Sequence, residues 1–291
     1  MNRWLYSALV VTTTALMGSS FAVGKIGLAY VSPFLLVGIR FTLAGLIMAI
    51  AVRGKGRPSQ LTDWFRIAVI GIFQTAGVMG CIFLSLRTIP AGESSILTFI
   101  NPLLVVVLAT IFRGARYRWV QWGGVILGFA GVFITLGFHI HMHIGTILGL
   151  TGALSWAIAT LLIKKWSGTF NVWVLTAYQM LIGGVVLLIA GLAFETPKLI
   201  LNGTSVSIIV WLAIMASIVQ FAIWFYLLQH GDPGKTSAFL FLAPFFGVLS
   251  GWAILGEKLA WSVLFGGIFI FVGIFLVNWP EPQRRKTGQT G

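Results

Sequence analysis

Residues 83–102 read FLSLRTIPAGESSILTFINP, and residues 225–244 read FYLLQHGDPGKTSAFLFLAP. A shift of 142 lays Phe225 on Phe83, Leu228 on Leu86, Gly234 on Gly92, Ser237 on Ser95, Phe241 on Phe99 and Pro244 on Pro102. The register holds downstream, where Gly256 falls on Gly114, Trp261 on Trp119, Gly266 on Gly124, Phe271 on Phe129, Gly273 on Gly131 and Phe275 on Phe133. Nearer the start the shift is 139, which sets Gly184 on Gly45, Lys164 on Lys25 and Gln179 on Arg40. Chance matches among Gly and Phe are common in apolar sequence. Rare Pro and Trp in register at span boundaries favour a duplication.

Each copy is made of apolar segments. Of the 291 residues, 58% are hydrophobic and 9% charged, where a soluble domain carries roughly a quarter charged. Mean hydropathy is +0.99, reached through ten segments near residues 5–29, 34–52, 65–86, 93–112, 119–137, 145–163, 171–194, 206–229, 235–255 and 260–279. Most approach the roughly 20 residues a helix needs to cross a bilayer. They are continuously apolar rather than alternating, which excludes a transmembrane barrel. The sequence therefore predicts an all-α integral membrane protein of ten transmembrane helices. The first segment is too long for a signal peptide and is read as a retained span.

Charge gives the orientation. With the amino terminus inside, the cytoplasmic side holds Arg3, Arg53, Lys55, Arg57, Arg66, Arg113, Arg116, Arg118, Lys164, Lys165, Lys235 and Arg284-Arg285-Lys286. Lys25, Arg40, Arg87, Lys198 and Lys258 fall on or near the other side. This is a positive-inside bias, and it explains the net +13 without a nucleic-acid partner. Both termini are then cytoplasmic. Residues 1–138 form a first five-helix repeat, 139–144 an outer connecting loop, 145–279 a second repeat, and 280–291 a polar tail. Five spans per repeat is an odd number, so the second copy enters from the opposite face. Inverted repeats with a substrate site at their interface are an architecture of secondary transporters.

The motifs Gly92-Glu93-Ser94-Ser95 with Asn101-Pro102, Gly234-Lys235-Thr236-Ser237 with Ala243-Pro244, and Leu255-Gly256-Glu257-Lys258-Leu259 resemble the drug/metabolite transporter superfamily. The resemblance covers residues 5–279, is of the EamA type, and within it is greatest to the YddG-type exporters of aromatic amino acids. It implies export of small metabolites, amino acids (aromatic and other neutral ones) in particular, across a bacterial inner membrane by alternating access, with other small metabolites or drug-like cations as the alternative cargo. The first copy departs from the pattern in Gly114-Ala115-Arg116-Tyr117, where Ala115 stands opposite Glu257. That carboxylate is not a symmetric part of the machine.

Candidate site residues follow from polarity inside the spans. Arg40 lies roughly 9 Å from the outer end of its span, where a charge must find water or a partner. Gln74, Asn101, Gln179 and Gln220 can read a substrate's amino and carboxylate groups or hold helices together. Trp156, Tyr178, Trp224 and Phe239 can wrap an apolar side chain, with core or lipid placement the competing reading. Pro102 and Pro244 each remove a backbone donor inside a span and are candidate paired gates, with a static kink as the competing role. Lys25 and Arg87 are expected to snorkel to the interface. Glu93 is available to neutralise a nearby cation or to couple transport to protons.

Other chemistry is thin. No Gly-x-x-x-x-Gly-Lys-Ser/Thr loop occurs, so no ATPase is expected. The single cysteine, Cys81, permits neither an intramolecular disulfide nor a Cys-based metal cluster. His139, His141 and His143 alternate in a loop that reads as solvated rather than metal-binding. No cofactor is expected, and an intramembrane enzyme lacks its acid, base or nucleophile cluster. The partners expected are a small-molecule substrate and membrane lipids. Oligomeric state, energy source and the particular amino acids stay open.

Overall fold

The computed structural model describes residues 3–56, 58–135, 143–166, 169–230 and 239–277. Among these every regular element is helical, and one isolated antiparallel bridge joins Val31 to Leu199. The helices are α1 (Arg3–Gly27), α2 (Pro33–Ala51), α3 (Leu61–Gly71), α4 (Val78–Ser85), α5 (Ala91–Thr98), α6 (Asn101–Arg113) and α7 (Trp119–Thr135). They continue as α8 (Ile144–Lys165), α9 (Val172–Phe194), α10 (Gly203–Ala213), α11 (Gln220–His230), α12 (Leu242–Leu255) and α13 (Trp261–Val277). Among the described residues seven stretches have the length and composition to cross a bilayer, and α7, α12 and α13 are shorter apolar helices. A continuous apolar run must be helical in lipid, because only a helix satisfies its own backbone donors and acceptors. His139, His141, Lys235, Thr236, Ser237 and the tail from residue 280 lie outside the described residues.

Local chemistry sets the ends. Pro33 opens α2, where its missing N–H would be unpaired anyway. The Phe34 N–H beside it donates to the Glu195 carboxylate at the end of α9. Asn202 and Ser205 form a reciprocal cap on α10, with Oδ1 and Oγ each accepting the other's backbone N–H at 2.8 and 2.9 Å. Gly114 and Gly256 end α6 and α12 in the left-handed region, φ 61° and 65°, which only a residue without Cβ enters cheaply.

Two features depart from smooth spans. A π-helical turn, Ile72–Gly77, joins α3 to α4, and a second, Ile214–Val219, joins α10 to α11 at the same separation of 142. Such turns carry one extra residue and disturb the backbone ladder. The hydroxyl of Ser155 on α8 donates to the Phe73 carbonyl at 2.9 Å in the first of them. The fourth apolar segment is broken outright: α5 stops at Thr98, Phe99 and Ile100 turn, and Asn101-Pro102 begins α6. Pro102 therefore sits in the first turn after the interruption, where proline is tolerated, and Ala91–Arg113 as a whole keeps the length of one membrane span. Pro244 is the third residue of α12, just after a 3₁₀ turn over Phe239–Phe241. Pro102 thus marks an interruption of its span, which a static kink and a gate would share, and Pro244 lies in the first turn of α12.

Close packing repeats the register as well. A Cβ on Gly45 would meet the Leu181 nitrogen at 2.5 Å, and one on Gly184 would meet the Thr42 nitrogen at 2.5 Å. These two contacts of α2 with α9 exchange into one another under the 139 shift. Between α7 and α13, Gly124 faces the Gly273 carbonyl and Gly131 faces the Gly266 carbonyl, each 2.6 Å from a would-be Cβ. Those contacts exchange under the 142 shift. Small residues at these crossings let two backbones touch without a side chain between them.

Candidate functional site

A cavity lies inside the bundle, walled by side chains from the amino-terminal and the carboxyl-terminal half of the chain. From the first come Met17, Ser20, Phe21, Arg40, Phe41, Gln74, Met79, Ile82, Phe83 and Phe99; from the second come Trp156, Ala216, Gln220 and Phe221. Its free volume is about 50 Å³, against the roughly 300 Å³ at which small-molecule pockets begin. A solute larger than a few waters enters only if the walls move. Aromatic rings form much of that wall: Phe21 tilts against Phe99 at 6.2 Å, and Phe99 meets Trp156 edge-on at 5.4 Å.

Among the described residues Arg40 is the one charge in this wall, and it is 2% exposed. Its Nε donates to Ser217 Oγ at 2.9 Å and its Nη2 to the Ala216 carbonyl at 2.8 Å, both in the second π turn. Ser217 in turn donates to the Leu212 carbonyl at 3.0 Å, which fixes its lone pairs toward the arginine. The guanidinium carbon stands 4.7 Å above the Phe41 ring centre, a cation–π arrangement. Nη1 is buried and has no partner. Buried polar groups are nearly always paired, so an orphaned guanidinium nitrogen calls for an explanation.

The same contact exists in neutral form. Thr75 Oγ1 donates to Gln179 Oε1 at 2.7 Å, and the 139 and 142 shifts map Gln179 onto Arg40 and Thr75 onto Ser217. Gln179 is buried between α9 and the first π turn, its backbone carbonyl against Gly71. It joins helices there and does not line the cavity.

Of the other residues singled out by sequence, Gln74, Trp156 and Gln220 line the cavity with Arg40. Tyr178 instead meets Trp64 edge-on at 4.9 Å, and Phe239 meets Tyr6 edge-on at 6.2 Å. Trp224 is half-buried on α11 outside the wall, and Asn101 is buried at the break that opens α6. Uniformly apolar helices give no periodic signal of which face turns inward. Their placement could not be read.

One end of the bundle is held by an ion pair. Lys25 Nζ, near the end of α1, donates to Glu257 Oε1 and to the Ile89 carbonyl, both at 2.9 Å. Glu257 also accepts from the Ala91 N–H at 2.8 Å and the Gly92 N–H at 3.3 Å, so it caps α5. A carboxylate at a helix N-terminus also meets the positive end of the helix dipole. Lys25 thus pairs rather than snorkels, and its partner is Glu257, not Glu93. Glu93 accepts from Thr146 Oγ1 at 3.4 Å and lines a separate cavity of about 340 Å³ at this end, with Glu257 and Lys258. Among the described residues no group of three His, Cys, Asp or Glu is placed to hold a metal.

The sequence model of the EamA-like transporter family matches residues 4–137 and again residues 143–279. The chain belongs to the EamA-like transporter family. It is a multi-pass membrane transporter of that family. It is 30% identical to "Uncharacterized transporter YvbV" of Bacillus subtilis, over 94% of this chain and 91% of that one. It is 28% identical to "WAT1-related protein At3g02690, chloroplastic" of Arabidopsis thaliana, over 91% and 67%. It is 27% identical to "Uncharacterized inner membrane transporter YedA" of Escherichia coli, over 89% and 86%. A solved crystal structure covers 94% of this chain and 96% of its own at a TM-score of 0.66; at 20% identity it speaks for the fold alone.

Proposed function

We propose that the chain is a secondary transporter that exports amino acids, aromatic and other neutral ones, by alternating access around the Arg40 cavity. Ten spans in two inverted five-helix repeats, 1–138 and 145–279, rock against each other, with both termini in the cytoplasm of a bacterium and the chain in its inner membrane. The family match occurring twice, the paired π turns and the exchanging glycine contacts support the repeat. In this orientation the Lys25–Glu257 pair closes the outer end.

The observation that carries the reading is Arg40: a buried cation bonded only to neutral groups, in an aromatic wall drawn from both repeats. A carboxylate supplies acceptors to the guanidinium, the rings of Phe21, Phe99 and Trp156 enclose an apolar side chain, and Gln74 and Gln220 offer amide oxygens to an amino group. Greatest kinship to the YddG-type exporters is part of the same proposal. Glu93 stands at the closed end and outside the cavity wall, so a coupling role there acts on closure and not on substrate contact.

The test is transport by purified protein in liposomes, with radiolabelled Phe, Trp, Thr and Met against protein-free vesicles, with and without a pH gradient. Saturable movement is expected. Folded protein that moves none of the four refutes the amino-acid assignment, and an unchanged pH response in Glu93→Gln removes the coupling role.

A further inference from the structure

The charge inventory of the cavity is lopsided. Among the described residues its lining carries the Arg40 cation and no Asp or Glu. Arg40 itself contacts a hydroxyl and a carbonyl, leaves Nη1 unpartnered, and has no anion among its bonding partners. An ion out of water is costly unless it is paired, so this site is completed by a ligand of net charge −1. A zwitterion meets only half of that need. Its carboxylate pairs with the arginine, but its ammonium must also leave water, and it finds only the neutral oxygens of Ser20, Gln74 and Gln220 and the faces of rings.

A second observation speaks against packing as the reason for the charge. At the related position the uncharged Gln179 meets a hydroxyl too, there accepting from Thr75 where Arg40 donates to Ser217. An amide suffices to join the helices at that crossing. The guanidinium adds a full charge and an unsatisfied donor, which no helix contact requires.

We propose that the Arg40 cavity takes apolar monocarboxylates, anions with an aromatic or aliphatic body and no ammonium group, in preference to the amino acids of the same shape. The proposal rests on reading this cavity as the transport site and ranks its substrates by charge: amino acids, their ammonium held only by neutral oxygens, are carried there as the weaker class. Arg40 holds the carboxylate, Phe21, Phe41, Phe99 and Trp156 hold the body, and the amides orient it. Carrying such an anion moves one negative charge per cycle when no ion is coupled to it. Carrying a zwitterion moves none.

Three probes of one shape separate the classes: 3-phenylpropionate, phenylalanine and 2-phenylethylamine. Binding to detergent-purified protein is measured by titration calorimetry, and movement is measured as current on a supported membrane carrying proteoliposomes. Passive leakage of phenylpropionate is of its neutral form and gives no current. The expected result is phenylpropionate binding tighter than phenylalanine by about tenfold or more, as an unpaired buried ammonium demands, with no binding of the amine. In Arg40→Gln that preference collapses, while Arg40→Lys keeps part of it. Should Arg40→Gln fail to fold, the three-probe ranking on the unaltered protein still decides. Phenylalanine binding as tightly as phenylpropionate, or tighter, overturns the inference and leaves the amino-acid reading standing. Saturable transport of other solutes with neither phenyl acid bound overturns both.

Discussion

The loop after α6 and the loop after α12 are the same piece of backbone twice. Gly114 and Gly256 take φ 61° and 65°, and the next residue in each donates its N–H six residues back, Ala115 to Ala109 at 3.1 Å and Glu257 to Gly251 at 3.2 Å. The side chains then part company. Glu257 reaches Lys25, Ala91 and Gly92, whereas Ala115 is a methyl group. Arg40–Ser217 and Gln179–Thr75 repeat the pattern, with one arm charged and the other neutral. Backbone and glycine packing at these positions follow the sequence shift, and charge departs from it. The two positions that differ, Arg40 and Glu257, are where buried or part-buried charge enters.

The sharpest way to break that comparison is to make its arms alike. Arg40→Gln copies the Gln179 arm onto the other side. Removing one partner of a buried charged contact costs about 2–5 kcal/mol. Transport of a carboxylate-bearing solute in proteoliposomes is therefore expected to fall by roughly 30-fold or more. Equal activity in the variant would remove Arg40 from the site.

Packing, by contrast, should respond equally on both sides. Gly45→Val and Gly184→Val each push side-chain atoms into facing backbone 2.5 Å from the Cβ. Neither backbone can yield as a flexible side chain would, so the overpacking loss of about 1–3 kcal/mol is a lower bound. Comparable drops in apparent Tm, read by tryptophan fluorescence in detergent, are expected. A large drop in one and none in the other would show that the two crossings are not equivalent. A finer form uses the hydroxyls: Ser217→Ala removes a bond to a charged group, about 1.5–3 kcal/mol, and Thr75→Val removes a neutral one, about 0.5–1.5 kcal/mol. Thermal unfolding of the two variants should rank them in that order.

How much of this was legible in the sequence follows the same division. Apolar runs and the common shift announce the helices and the duplication, because lipid leaves the backbone no other choice. Arg40 stands out as a charge inside a span. The π turns have no residue signature, and nothing before folding shows that Ile72–Gly77 and Ile214–Val219 present carbonyls to Ser155 and Arg40. Pro102 and Pro244 mark first turns of α6 and α12, and the sequence alone does not separate that from a bend, since proline tolerates a helix start as well as it forces a bend. Tyr178 and Gln179 lie on neighbouring positions of a helix apolar all round, so their facing was undetermined. Glu257 was visible as the residue missing from the first copy; its partner Lys25 is 232 residues away.

That ion pair carries the smallest expected effect and the most direct reading of asymmetry. Lys25 is 31% exposed at its side chain and Glu257 13%, so the pair is worth about 1 kcal/mol or less. Removing it should still raise the population open at that end, by about fivefold for 1 kcal/mol. A cysteine placed by Ala91→Cys in a Cys81→Ser background reports this, because Ala91 is fully buried and its N–H bonds to Glu257. Modification by a membrane-impermeant maleimide added outside should speed up severalfold in Glu257→Gln. Glu257→Gln keeps an acceptor for the α5 N–H groups and removes only the charge, so a faster rate speaks for the ion pair and not for the cap. Adding Lys25→Ala should then change the rate little further, since its partner's charge is already gone. An unchanged rate in both variants would mean that the charge at this end does not hold it shut, and that the departure from symmetry matters only at Arg40.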